Sequence, residues 1–141
     1  MIYTPLTNEA MKLAYRAHHG QTDKGGIPYI FHPMHLAEQM VDEYSTCVAL
    51  LHDVIEDTEV TLAELEAIFP KEITDAVALM THQPGTDYYA YVARIRENSI
   101  ARAVKLADLT HNSDQSRMPD ADPEALARWA RKYARAFEIL K

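Results

Sequence analysis

Cysteine is almost absent from this chain. The single Cys47 can make no internal disulfide, which fits a reducing compartment. Basic charge is also short, with 14 Lys and Arg against 21 Asp and Glu and a formal net charge of −7. That balance argues against binding to nucleic acid or to an anionic membrane. No apolar run approaches the ~18 residues that a membrane span needs. The N-terminal "MIYTPLTNEAMK" lacks the basic and apolar regions of a signal peptide. These absences together lead to the expectation of a soluble cytoplasmic protein. There is no alternating strand pattern and no internal repeat. The little basic charge present is uneven. Arg128, Arg131, Lys132, Arg135 and Lys141 outweigh Glu124 and Glu138 at the C-terminal end, and the rest of the chain is strongly acidic.

Nearly half of the 141 residues are apolar, enough to build a core for one domain, residues 1–141. The punctuation reads as helix after helix. Leu6, Ala10, Leu13 and Ala17 have helical spacing and run to Gly20, a residue suited to a left-handed cap. "QTDKGGIPYIF" reads as a loop. Pro33 suits the first turn of a helix over "MHLAEQMVDEY", and Ser45 or Thr46 can cap the next one. Thr61 with Glu64 has the form of a capping box. Asn98 separates two further helices, and Asp122 with Pro123 opens the last. The expected fold is all-α, a single-domain bundle of seven or eight helices.

One stretch does not fit an ordinary amphipathic helix. In "ALLHDVIEDT", His52, Asp53, Glu56 and Asp57 interrupt an otherwise apolar run. On a continuous helix they share an arc of about 140°. No Lys, Arg or Gln accompanies them there. Carboxylates sheltered from solvent without basic partners require a cation. "VKLADLTHN" repeats the anomaly, with Asp108 in an apolar run and Lys105 and Asn112 on the same face. His32, just before Pro33, can turn its ring inward from the loop. His32, His52, Asp53 and Asp108 make a mixed nitrogen–oxygen donor set. Such a set suits one divalent ion of the Mn²⁺, Fe²⁺ or Zn²⁺ kind and not a pure oxygen site for Ca²⁺.

These segments have a known counterpart. "AHHGQTDKGGIPYIFHP", "ALLHDVIEDT" and "VKLADLTHN" resemble, in order and spacing, the (p)ppGpp hydrolase domain of RelA/SpoT proteins and the stand-alone metazoan SpoT homologues, within the HD superfamily of metal-dependent phosphohydrolases. The resemblance spans roughly residues 10 to 115. It implies an HD-type helical bundle and a guanosine-3′,5′-bis(diphosphate) 3′-pyrophosphohydrolase-like activity. It implies one bound metal ion, Mn²⁺ foremost, held by His32, His52, Asp53 and Asp108. It implies that Glu56 and Asp57 orient and deprotonate the attacking water. Asn112 matches a residue that contacts substrate. Lys24 and Lys105 are the expected phosphate contacts, and Tyr29 is a candidate pocket residue.

Two departures bear on the ligand. Asp23 stands where these relatives usually carry Arg, and Ser113-Asp114 follow Asn112 where they often carry an apolar residue and Arg. Both put negative charge where phosphate is expected. Other readings therefore stay open: an HD phosphohydrolase of a less charged nucleotide or phosphate ester, such as a 5′-nucleotidase, or a non-catalytic module that binds metal or nucleotide. His18 is held as a support for the site. His35, His82 and His111 are expected outside the ligand set. Cys47 is expected to be an inert core thiol, with Trp129, Tyr88, Tyr89 and Tyr91 in packing roles.

Overall fold

The computed structural model describes residues 1–141. Nine α-helices follow one another: α1 (Pro5–Ala17), α2 (Phe31–Glu38), α3 (Glu43–Leu51), α4 (Val54–Asp57), α5 (Leu62–Glu66), α6 (Lys71–Met80), α7 (Tyr88–Ile95), α8 (Ser99–Asn112) and α9 (Pro123–Leu140). A 3₁₀ turn, Gln115–Arg117, lies between α8 and α9. There is no sheet, only an isolated bridge between Thr22 and Pro28.

Local chemistry sets most helix starts. Thr4 accepts from the Thr7 amide at 3.1 Å, Thr7 accepts from the Thr4 amide at 2.8 Å, and Pro5 takes the first helical position. Asp87 and Asn98 cap α7 and α8 by accepting from the amides of Ala90 and Ala101, each at 2.9 Å. Gly20 closes the α1 segment at φ 84°, a conformation open to glycine. Asp122 occupies the cap position of α9 without a side-chain bond, so Pro123 is the stronger start signal there.

Three expectations need correction. The helix expected over "MHLAEQMVDEY" spans Phe31–Glu38 and stops before the exposed Val41. Asp42, not Ser45 or Thr46, caps α3. Its carboxylate accepts from the Ser45 amide at 2.7 Å, while Ser45 and Thr46 are buried inside the helix. The motif helix is also broken. α3 ends at Leu51 and α4 begins at Val54, with Asp53 near φ −108°, ψ 0°. His52 Nδ1 donates to the carbonyl of Ala49 at 2.7 Å, taking one acceptor of the last turn. This break raises the helix count to nine.

Every residue of α3 from Ser45 to Leu51 is buried. A helix apolar on all sides must be surrounded, and α3 packs against α1, α2, α6 and α8. Its leucines belong to one cluster of 25 buried apolar residues. Each fully buried Leu contributes about 1.5–3 kcal/mol. α9 differs. It lies on α7 and α8 and fully buries only Ala136 and Leu140. Arg102 holds its end by donating to the Leu140 carbonyl at 2.6 Å. No helix is long and apolar enough to cross a membrane.

Candidate metal centre

The end of the central helix delivers His52 and Asp53, the first turn of α2 delivers His32, and the buried face of α8 delivers Asp108. Donor atoms of His32, His52 and Asp53 lie within 4.8 Å of one another. Asp108 joins them through Oδ1, which is 2.9 Å from His32 Nε2 and 3.7 Å from His52 Nε2. His52 has 1 % exposure and His32 has 4 %, so solvent cannot satisfy these rings.

The donor set fits a divalent cation. With Nδ1 donating to Ala49, the neutral, metal-binding form of His52 carries its lone pair on Nε2. That Nε2 is buried and has no hydrogen-bond partner, although Asp53 Oδ2 lies 3.0 Å away. A lone pair aimed at two carboxylates is costly unless a cation sits among them. Burial works against ionisation of Asp108. The Lys105 ammonium outweighs it and holds the carboxyl well below its usual range.

Neighbouring groups fix these ligands. His111 Nδ1 lies 2.8 Å from His32 Nδ1, and the rings stack with centroids 5.0 Å apart. Burial first, then Arg117, His32 and His35, pushes His111 down to about 4. His35 stacks on His111 with ring centroids 4.1 Å apart. The Tyr29 hydroxyl donates to Asp53 Oδ2, and burial followed by Asp53 raises its pKa. His18 is 2 % exposed and packs on Tyr29 at 4.8 Å. Gln21 links His18 Nδ1, at 2.8 Å, to the Asp57 carbonyl, also at 2.8 Å.

Asp53, Glu56 and Asp57 form a second group of carboxylates within 4.8 Å. The break between α3 and α4 therefore still brings both motif pairs together. Glu56 Oε1 accepts from the His82 amide at 2.6 Å. Asp57 lines the cleft, and burial, then Asp53 and Glu56, pushes it up to about 6.

The cleft beside these groups has a volume of about 520 Å³. Tyr29, His32, Asp57 and Asn112 line it together with Lys24, Asp23 and Arg117. Lys24 Nζ lies 3.8 Å from the centroid of Trp129, so this tryptophan carries a cation as well as packing. Lys105 does not line the cleft. Its ammonium is 2.9 Å from Asp108 Oδ2 and its exposure is 8 %. The residue expected to meet phosphate is thus engaged with a candidate metal ligand. Asn112 likewise donates to Asp108 Oδ1 at 3.0 Å while lining the cleft.

Asp23 and Asp114, expected to place negative charge near phosphate, both have partners. Asp23 Oδ1 accepts from the amides of Gly25 and Ile27, and Oδ2 meets Arg117 Nη2 at 3.1 Å. Asp114 turns to Ser116 and does not line the cleft. Arg117 and Gln21 stand at the site without having been singled out in the sequence, whereas His111, expected outside the ligand set, meets His32 there. "GQ" after the first helix was a usable signal for Gln21; Arg117 had none.

An HD domain model matches residues 10–132. The chain belongs to the HD domain family. Within the family, it is 42% identical over 80 residues to a probable guanosine-3′,5′-bis(diphosphate) 3′-pyrophosphohydrolase of Mycoplasma pneumoniae, covering 54% of this chain and 11% of that protein. It is 35% identical over 119 residues to the bifunctional (p)ppGpp synthase/hydrolase SpoT of Escherichia coli K12, covering 74% and 17%. The HD domain chain thus spans less than a fifth of the length of these relatives. A solved metazoan ortholog of SpoT, described as hydrolyzing ppGpp, superposes with a TM-score of 0.83 at 21% identity, over 100% of this chain and 88% of that one. That likeness establishes a shared fold.

Proposed function

We propose that this HD domain, one domain over residues 1–141, is a metal-dependent phosphohydrolase of a phosphorylated nucleotide, and in the first instance a ppGpp 3′-pyrophosphohydrolase. The observation that carries the reading is the orphaned His52 Nε2 facing Asp53 and Asp108 beside His32. The names of the two relatives supply the substrate. The same reading makes it a soluble cytoplasmic enzyme of a small molecule.

His32, His52, Asp53 and Asp108 hold one divalent ion, Mn²⁺ first, with Fe²⁺ and Zn²⁺ as alternatives. When bound, the ion polarises a phosphoryl oxygen and acidifies water. Asp57 takes the proton of the attacking water, a role suited to its raised pKa and its place on the cleft. Glu56, held by the His82 amide, keeps the water in line. Lys24 and Asn112 orient the nucleotide. Tyr29 fixes Asp53, and Lys105 fixes Asp108.

The test is release of pyrophosphate and phosphate from ppGpp and a nucleotide panel, with Mn²⁺ and with chelator. Chelator-sensitive pyrophosphate release from ppGpp, lost in Asp57→Asn with Mn²⁺ still bound, supports the reading. Chelator-sensitive release from another nucleotide alone keeps the chemistry and discards ppGpp. Metal binding with no turnover of anything leaves a non-catalytic module.

A further inference from the structure

The loop between α1 and α2 lines the cleft, and two of its residues, Asp23 and Gly25, meet Arg117 in the segment after α8. Asp23 meets Arg117 across 94 residues of sequence, at 3.1 Å, with side-chain exposures of only 12% and 15%. One residue pair further on, the loop backbone touches the same segment, and a Cβ built on Gly25 would fall 2.0 Å from the Arg117 carbonyl oxygen. Arg117 also donates through Nη1 to the His111 carbonyl at 2.8 Å and to Asn112 Oδ1 at 3.4 Å. The guanidinium is therefore paired with a carboxylate, and three of its five N–H donors are engaged. Among the Lys and Arg side chains that line the cleft, this leaves Lys24, which rests on the face of Trp129, without a carboxylate partner.

An anion entering such a cleft meets one available ammonium from the chain, whatever its number of phosphates. Resting on the nucleotide reading above, we infer that the Asp23–Arg117 pair sets the charge selectivity of the cleft, so that each phosphate beyond the first adds little to nucleotide affinity. Removing the Asp23 charge releases Arg117 to those phosphates. Asp23→Asn is suited to this, since an amide oxygen still accepts from Gly25 and Ile27 and the loop keeps its turn.

The experiment is a titration of the full chain with guanosine 5′-mono-, di- and triphosphate by calorimetry, in chelator so that only the chain's own cations are read. In the unaltered chain each added phosphate changes Kd less than about twofold; in Asp23→Asn each tightens binding about threefold or more, and Asp23→Asn/Arg117→Gln is flat again. A loop that only loosened would weaken all three nucleotides alike and leave the ladder unchanged. A ladder unchanged by Asp23→Asn, a steep ladder already present in the unaltered chain, or no binding of any nucleotide overturns the inference. These outcomes do not depend on turnover. Chelator-sensitive hydrolysis with an unchanged ladder rejects the charge role alone, and the expected ladder without hydrolysis rejects the activity alone.

Discussion

His32 and His111 face each other through their Nδ1 atoms at 2.8 Å, with ring planes only 5° apart. One ring must donate and the other accept. His111 is held neutral, with its pKa pushed down to about 4, so it can accept from His32 Nδ1, the arrangement that leaves His32 Nε2, beside Asp108, as the nitrogen able to bind a cation. Supports of this kind are worth about 10–100-fold in metal affinity. His111→Phe keeps the stacked ring and removes the acceptor. Its expected effect is a weaker Mn²⁺ Kd by that factor, measured by calorimetry on stripped protein, with the helical circular dichroism unchanged. Equal Kd values would remove His111 from the site.

Lys105 and Asp108 form a buried pair at 2.9 Å. Breaking such a pair from one side leaves a charge without a partner and costs about 3–5 kcal/mol. Lys105→Met should therefore destabilise the metal-free protein by that amount in urea denaturation. Adding Asp108→Asn should recover part of the loss, because the amide carries no charge. Mn²⁺ should also narrow the gap between Lys105→Met and the unaltered chain, since a cation can replace the ammonium beside Asp108. A loss below about 0.5 kcal/mol, typical of an exposed site, would mean that the pair is open to water.

The candidate ligands were legible because charge in an apolar run is expensive, and His52, Asp53 and Asp108 each break such a run. The bundle was legible from its caps, as at Asn98 and Pro123. The break after Leu51 was not, because it depends on which nitrogen of His52 carries the proton and on the Ala49 carbonyl it meets. Lys105 was placed on the right face of α8, but spacing alone does not say whether its ammonium meets Asp108 or a ligand. Asp23 looked hostile to phosphate because its partner, Arg117, is remote in sequence and lies in a stretch with no helical pattern. Pairings across such distances are settled by packing, and a single sequence does not carry them.

His18 gives a pH prediction. Burial first, opposed by Gln21, lowers its pKa from the usual 6.5. The unfolded chain then binds the proton more readily than the folded one. The stability held by the neutral ring is full above about 6.5 and is lost as pH falls towards the lower folded value. Thermal unfolding at pH 7.5 and 5.5, in chelator, should show a smaller drop for His18→Asn than for the unaltered chain. Equal drops would mean that His18 titrates alike in both states.

Gly25 and Gly26 are adjacent, yet they should respond differently to alanine. Gly26 has φ 81° and open space around its missing side chain. Gly26→Ala should cost about 1–2 kcal/mol of conformational strain and leave the contacts of the loop in place. Gly25 does not have positive φ, and its constraint is the Arg117 carbonyl, 2.0 Å from a built Cβ. Gly25→Ala must push the loop off that carbonyl, because backbone on both sides cannot yield as a side-chain tip can. Amide hydrogen exchange at Asp23 to Ile27 separates the two. Faster exchange at Ile27, whose amide is held by Asp23 at 3.0 Å, is expected in Gly25→Ala and not in Gly26→Ala. Equal exchange in the two variants would show that the loop does not depend on this contact, and Asp23 alone would then hold it to Arg117.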